Sequence, residues 1–144
     1  MRSYVGSRVV IATLPWLAVH AGCTDVTGGA VEVSWDLRGV DGQDRDCAES
    51  NVDQIKLEWS APGRSSKDFF PCKDARGVTG FDLPAGEVTM YLRPVCPSGE
   101  ATSGFRAPPA IVRTITEGEV ITLTTQIIDV KVTDCTPEDP CVCP

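Results

Sequence analysis

The chain has 144 residues, of which 42% are hydrophobic and 23% are charged. This length predicts a single domain, and this composition excludes both a disordered chain and a polytopic membrane protein. The 20 acidic residues outnumber the 13 basic ones, and the net charge of -7 argues against a nucleic acid as partner.

The first 22 residues have the layout of a secretory signal peptide. Arg2 and Arg8 make the start basic, and the 11 residues from Val9 to Val19 carry no charge. This apolar stretch is much shorter than the roughly 20 residues that span a bilayer as a helix. We therefore expect residues 1–22 to be removed on export.

The end of this signal resembles the lipobox of bacterial lipoproteins. Ala21 and Gly22 precede Cys23, the position at which signal peptidase II would cut and the cysteine would receive its lipid. His20 departs from the lipobox, which usually has Leu or Val at that place. Cleavage by signal peptidase I after Ala21 is the alternative. The resemblance implies lipid attachment at Cys23, and residues 23–29 are predicted to form a flexible tether.

Removal of the signal changes which chemistry is open to the mature chain. It leaves 122 residues with a net charge of -9, and His20, the only histidine, is removed with the signal. A Ser-His-Asp or Cys-His site and any imidazole-bound metal are thereby excluded. Chemistry that uses carboxylates alone or lysine stays open. We predict a protein that is not an enzyme and has neither a cofactor nor a metal.

Alternating apolar and polar residues then predict a series of strands between residues 30 and 132. The first strand carries Val31 to Leu37, and later ones follow around Ile55, Val88 and Ile111. The phase of the alternation shifts between residues 120 and 132, which predicts a bulge or a bend between two strands. Further predictions are a short strand at Phe81 and Leu83, a polar loop at Arg64, Lys67 and Asp68, and core positions for Trp35, Trp59 and Phe81.

Six or seven short strands separated by Gly- and Pro-containing turns predict an all-β, antiparallel β-sandwich. The sandwich domain is predicted over residues 30–132, followed by a Cys- and Pro-rich tail at residues 133–144. No window of the mature chain has sustained helical periodicity.

The cysteines that remain after Cys23 are even in number, which predicts disulfide bonds in an exported domain. These six are Cys47, Cys72, Cys96, Cys135, Cys141 and Cys143. Cys47 and Cys72 lie at the ends of neighbouring predicted elements, and we expect them to pair. Cys141 and Cys143 are too close in sequence for an unstrained bond with each other, so one of them is predicted to pair with Cys135 and the other with Cys96. The spacing within the tail matches no zinc motif, and metal binding there is the weaker alternative.

The hairpin from Phe81 to Leu92 resembles the Leu-Pro-Ala-Gly hairpin of transthyretin-like and carboxypeptidase-regulatory-like modules, and residues 115–123 are similar to their last strand pair. The segment from Val33 to Arg38 also resembles small bacterial lipoproteins. These resemblances imply a seven-stranded sandwich of transthyretin-like or Ig-like Greek-key type. They also imply that it serves as scaffold, spacer or binding surface without catalysis of its own.

We expect an exported bacterial lipoprotein, held by its lipid in the outer membrane and facing the periplasm or the cell surface. Its predicted role is to bind a protein or glycan partner or to support another component. Two alternatives stay open. One is a small hydrolase or lyase that uses paired carboxylates, such as Glu32 with Glu58 on adjacent strands. The other is a glycan-binding module assisted by calcium at Asp41, Asp44 and Asp46.

Overall fold

A computed structural model of the protein describes residues 26–39, 41–100 and 105–130. These residues form two β-sheets and one short 3-10 helix, Cys72–Asp74. The strands are β1 (Ala30–Gly39), β2 (Asp44–Arg45), β3 (Gln54–Ala61), β4 (Arg64–Pro71), β5 (Arg76–Val78), β6 (Gly86–Cys96), β7 (Gly99–Glu100), β8 (Phe105–Arg106), β9 (Ile111–Ile115), β10 (Val120–Thr122) and β11 (Gln126–Val130). In the part of the chain that the structure describes, no helix is long and apolar enough to cross a membrane.

The first sheet is built around β1. This strand pairs in parallel with β10 and β11, and antiparallel with β5 and β2, while β8 pairs with β11. The main-chain groups of alternate β1 residues point to opposite edges. The Ala30 amide donates to the Glu119 carbonyl on one side, and the Trp35 amide donates to the Ala75 carbonyl on the other.

The second sheet has β3 at its centre. This strand pairs antiparallel with β4 over its whole length and with β6 over seven residues, and β6 also pairs antiparallel with β9 and β7. The strand β4 covers Arg64, Lys67 and Asp68, so the predicted polar loop is wrong. The hydrogen bonds to β3 hold this edge strand, although its side chains show no apolar alternation that would predict it.

The core lies between the two sheets and contains one face of each long strand. Val31, Val33 and Trp35 of β1 face the core, as do Leu57 and Trp59 of β3. Burial of these side chains is the main stabilising contribution to such a sandwich. The predicted all-β sandwich is confirmed, and so are the predicted core positions of Trp35 and Trp59.

Three details differ from the sequence-based expectation. Six strands have five or more residues, and five further strands have only two or three; four of these short strands belong to the first sheet and one, β7, to the second. The pairings of β1 with β10 and β11 are parallel rather than antiparallel. Phe81 lies in a turn and is 44% exposed, since only Leu83 of the predicted strand bonds to the sheet, through a bridge to Gly29.

The predicted bulge between residues 120 and 132 is present in the described part of that segment. Ala30 is opposite Val120, whereas Trp35 is opposite Gln126, so the register shifts by one residue between β10 and β11. The Leu123 amide donates to the Glu32 carbonyl within the shift. The segment from residue 120 to 130 therefore runs alongside most of β1 as two strands, β10 and β11.

Candidate functional site

The predicted Cys47–Cys72 disulfide is present and joins the two sheets. Cys47 follows β2 of the first sheet, Cys72 follows β4 of the second, and their Cα atoms are 5.9 Å apart. Cys72 is buried in the core. The indole Nε1 of Trp35 donates a hydrogen bond of 3.1 Å to the Cys72 carbonyl. The disulfide and this hydrogen bond fix one end of the sandwich, which we call the disulfide end.

Cys96 at the end of β6 is disulfide-bonded as well. Its partner lies outside the described residues, because Cys47 and Cys72 are bonded to each other. The predicted site residues Cys23, Cys135, Cys141 and Cys143 all lie outside the described residues too. The pairing of Cys96 with a tail cysteine therefore stays a prediction.

A cavity of about 400 Å³ lies beside the Cys47–Cys72 bond at the disulfide end. Its lining is mostly apolar and includes Trp35, Leu37 and Ala48, with Arg45 and Lys73 among its charged residues. Volumes from about 300 Å³ upward, with mostly apolar walls and few polar groups, are typical of ligand sites. This mostly apolar cavity is the first candidate binding site.

The two cations at this cavity differ in their partners. Arg45 is bound to Asp41, with 2.6 Å between Nη2 and Oδ2. The Gln43 amide also donates to Asp41, and this hydrogen bond, followed by Arg45, holds the pKa of Asp41 below its usual value. Lys73 has no ion-pair partner among the described residues. Its ammonium group is therefore a cation that a ligand in this cavity would meet without an ion-pair partner, close to the carboxylate of Asp36.

The proposed calcium ligands Asp41, Asp44 and Asp46 do not converge. Asp41 is held by Arg45, while Asp46 accepts a 2.6 Å hydrogen bond from the Glu49 amide. Glu49 in turn accepts a hydrogen bond from the Asp46 amide, so the pair caps one helical turn in the manner of a capping box. Among the described residues, no group of three or more His, Cys, Asp or Glu side chains is placed to hold a metal ion.

The carboxylate pair Glu32 and Glu58 is wrong as a catalytic pair, because the two residues lie in different sheets. Glu32 alternates with core residues of β1 and accepts a hydrogen bond from Thr122 on the outer face of the first sheet. Glu58 is on the outer face of the second sheet, bound to Lys56 at 2.9 Å and to Arg93 at 3.3 Å. The core separates the two carboxylates, so they cannot act on one bond.

The outer face of the second sheet is a second candidate surface. Three of its large side chains are exposed, namely Phe69, Tyr91 and Val112. A depression of about 510 Å³ beside Tyr91 is lined also by Glu58, Lys67 and several serines. An aromatic ring beside carboxylate, ammonium and hydroxyl groups suits a polar ligand with an apolar side. Exposure of Tyr91 could not be foreseen, because alternation in β6 does not tell which outer residues are covered.

Sequence reasoning also missed a half-buried carboxylate, Asp68, on the core side of β4. It lies near the indole Nε1 of Trp59, although their geometry is too poor for a hydrogen bond. Burial, followed by the negative charge of Asp82, raises the pKa of Asp68. No sequence signal pointed to this residue, because it lay in a segment that was predicted as a solvated loop.

No protein-family model matches the chain, and no curated protein is significantly similar to it. The site must therefore be judged on its own geometry.

Proposed function

We propose that the protein is an exported, lipid-anchored β-sandwich that binds a partner without catalysing a reaction. The observation that carries this proposal is the oxidation of its described cysteines. Cys47, Cys72 and Cys96 are all disulfide-bonded. Disulfides persist in oxidising compartments such as the bacterial periplasm and the cell surface. This fits export directed by the signal-like residues 1–22, while the proposed lipid attachment at Cys23 rests on the lipobox resemblance.

The proposed role as a binding module has two supports. The cavity beside Cys47–Cys72 and the depression beside Tyr91 are surface sites of ligand-binding size, one mostly apolar and one more polar. The separation of Glu32 from Glu58 weighs against the carboxylate pair that served as the example for the hydrolase alternative. The partner is proposed to be a protein or a glycan, and the similarity to transthyretin-like modules is consistent with such a role.

The test is expression of the full chain in a bacterium, followed by partition of the membranes into a detergent phase. We expect the wild-type protein in the detergent phase and in the envelope fraction, because acyl chains on Cys23 bind membranes. The variant Cys23→Ser is expected to lose detergent partition while keeping the Cys47–Cys72 bond. Wild-type protein in the aqueous phase, or in the cytoplasm with free thiols, would contradict the proposal.

A further inference from the structure

We propose that the end of the sandwich opposite the disulfide end lies against a lipid bilayer, with Phe81 and Val26 in contact with its headgroup region. We call this end the tether end, because the chain enters the fold there at Gly28 and Gly29. The inference rests on the proposed lipid attachment at Cys23. It adds a specific contact surface and an orientation, neither of which follows from an acyl anchor alone.

The last residues of the predicted flexible tether are held firmly in the fold. The Gly29 amide donates to the Leu83 carbonyl, and the Gly28 carbonyl accepts from the Gly118 amide, both within 3.0 Å. A Cβ atom on Gly28 would lie 2.6 Å from the Leu83 carbonyl oxygen, and one on Gly29 would lie 2.5 Å from Ile115. Neither glycine has room for a side chain. The predicted flexible tether therefore does not include Gly28 and Gly29, which belong to the fold.

This short connection keeps the tether end close to the anchor. Five residue steps separate Cys23 from Gly28. An extended chain advances at most about 3.6 Å per residue, so the two positions are no more than about 18 Å apart. An acyl group in the bilayer then places the Phe81 turn, which contacts Gly28 through its main chain, near the headgroups.

Three exposed apolar side chains lie at this same end. Val26 and Phe81 are each 44% exposed, and Val120, opposite Ala30 in the sheet, is 48% exposed. They are three of the eight exposed large hydrophobic residues of the described chain. An apolar side chain that meets the interfacial region of a bilayer is withdrawn from water, which favours contact.

The charges at the tether end select the kind of lipid. Asp82 adjoins Phe81, and Glu117 and Glu119 lie in the turn that bonds to Gly28 and Ala30. All three are exposed, and an anionic surface would repel them. The contact is therefore with a bilayer rich in zwitterionic phospholipid.

The experiment uses the acylated full-length protein with the substitution Phe81→Trp, reconstituted into phosphatidylcholine vesicles whose acyl chains carry bromine. Trp35 and Trp59 are each 2% exposed and give the wild-type baseline, since Trp16 is removed with the signal. The matched control is Phe69→Trp. Phe69 has the same 44% exposure but lies on the outer face of the second sheet.

We expect bromine to quench the added emission of Phe81→Trp, with a blue shift on vesicle binding, and to leave that of Phe69→Trp unchanged. A large fraction of anionic phosphatidylglycerol should reduce the quenching. These results are judged on protein whose acyl chains are verified by mass. Equal quenching of both variants, or quenching of neither variant, would then overturn the inference and leave the proposed function intact. A blue shift of Phe81→Trp without vesicles that grows with protein concentration would indicate self-association and also overturn it. Mature protein without acyl chains would overturn both.

Discussion

Removal of the Cys47–Cys72 bond should destabilise the fold by about 3.5 kcal/mol without changing its architecture. The perturbation is the double substitution Cys47→Ala with Cys72→Ala. The bond joins residues 25 positions apart, so it closes a loop of 26 residues in the unfolded chain. In the chain-entropy treatment, a loop of this length corresponds to a loss of about 12 cal/mol/K, which at 25 °C is about 3.5 kcal/mol.

The native state should tolerate this change, because the strands remain paired. Cys72 is buried, but the Trp35 indole bonds to its main-chain carbonyl, which alanine retains. Most of the loss should therefore come from the greater freedom of the unfolded chain. The dependence of unfolding free energy on denaturant concentration should increase, because the unfolded state is less compact.

The assay is urea unfolding at neutral pH, followed by the fluorescence of the buried Trp35 and Trp59. As a control, only this bond is reduced in the wild-type protein, and a thiol count verifies that the Cys96 bond is intact. The free energy of unfolding of this reduced protein should equal that of the double variant. If the free energy of unfolding falls by less than about 1 kcal/mol, the entropic argument is refuted. A variant that lacks β-sheet circular dichroism in buffer would show that the bond is needed for the fold itself.

Three further predictions concern single positions. Burial raises the pKa of Asp68 above the unfolded value of 3.8, so ionisation of this carboxyl lowers the stability of the fold as pH rises through the folded pKa. The variant Asp68→Asn should therefore raise the urea midpoint at pH 7 but not at pH 3. An equal gain at both pH values would contradict this. Gly28→Ala should cost about 1–3 kcal/mol by thermal unfolding, because its Cβ would clash with the Leu83 carbonyl, whereas Gly80→Ala, whose only close neighbour is a side chain, should cost clearly less. A non-reducing peptide map should link Cys96 to a cysteine of residues 133–144, and a link to Cys23 would contradict the predicted pairing.

Strand positions could be predicted where one face of a strand is buried and the other is not. The alternation from Val31 to Leu37 located β1, and the shift of phase after residue 120 located the bulge beside it. Cys47 and Cys72 could be paired because both end elements that flank one strand. In each case a local pattern reflects burial directly.

The remaining features depend on contacts that no local pattern reports. Strand β4 is held by backbone pairing with β3 and presents mostly exposed side chains, so it was taken for a loop. Glu32 and Glu58 were paired as neighbours, although β1 and β3 belong to different sheets. Phe81 followed the phase of Leu83 but lies in a turn. Strand order and turn geometry are set by distant parts of the chain, and they determine which polar groups meet.

The mass of the N-terminal peptide of the mature protein shows whether the chain begins at an acylated Cys23. The protein is purified from bacterial membranes in detergent and digested, and the peptide that begins the chain is identified by mass spectrometry. The account predicts a peptide that begins at Cys23 and carries the added mass of a diacylglyceryl group. A peptide that begins at Gly22 without lipid, or one that retains residues 1–22, would contradict it.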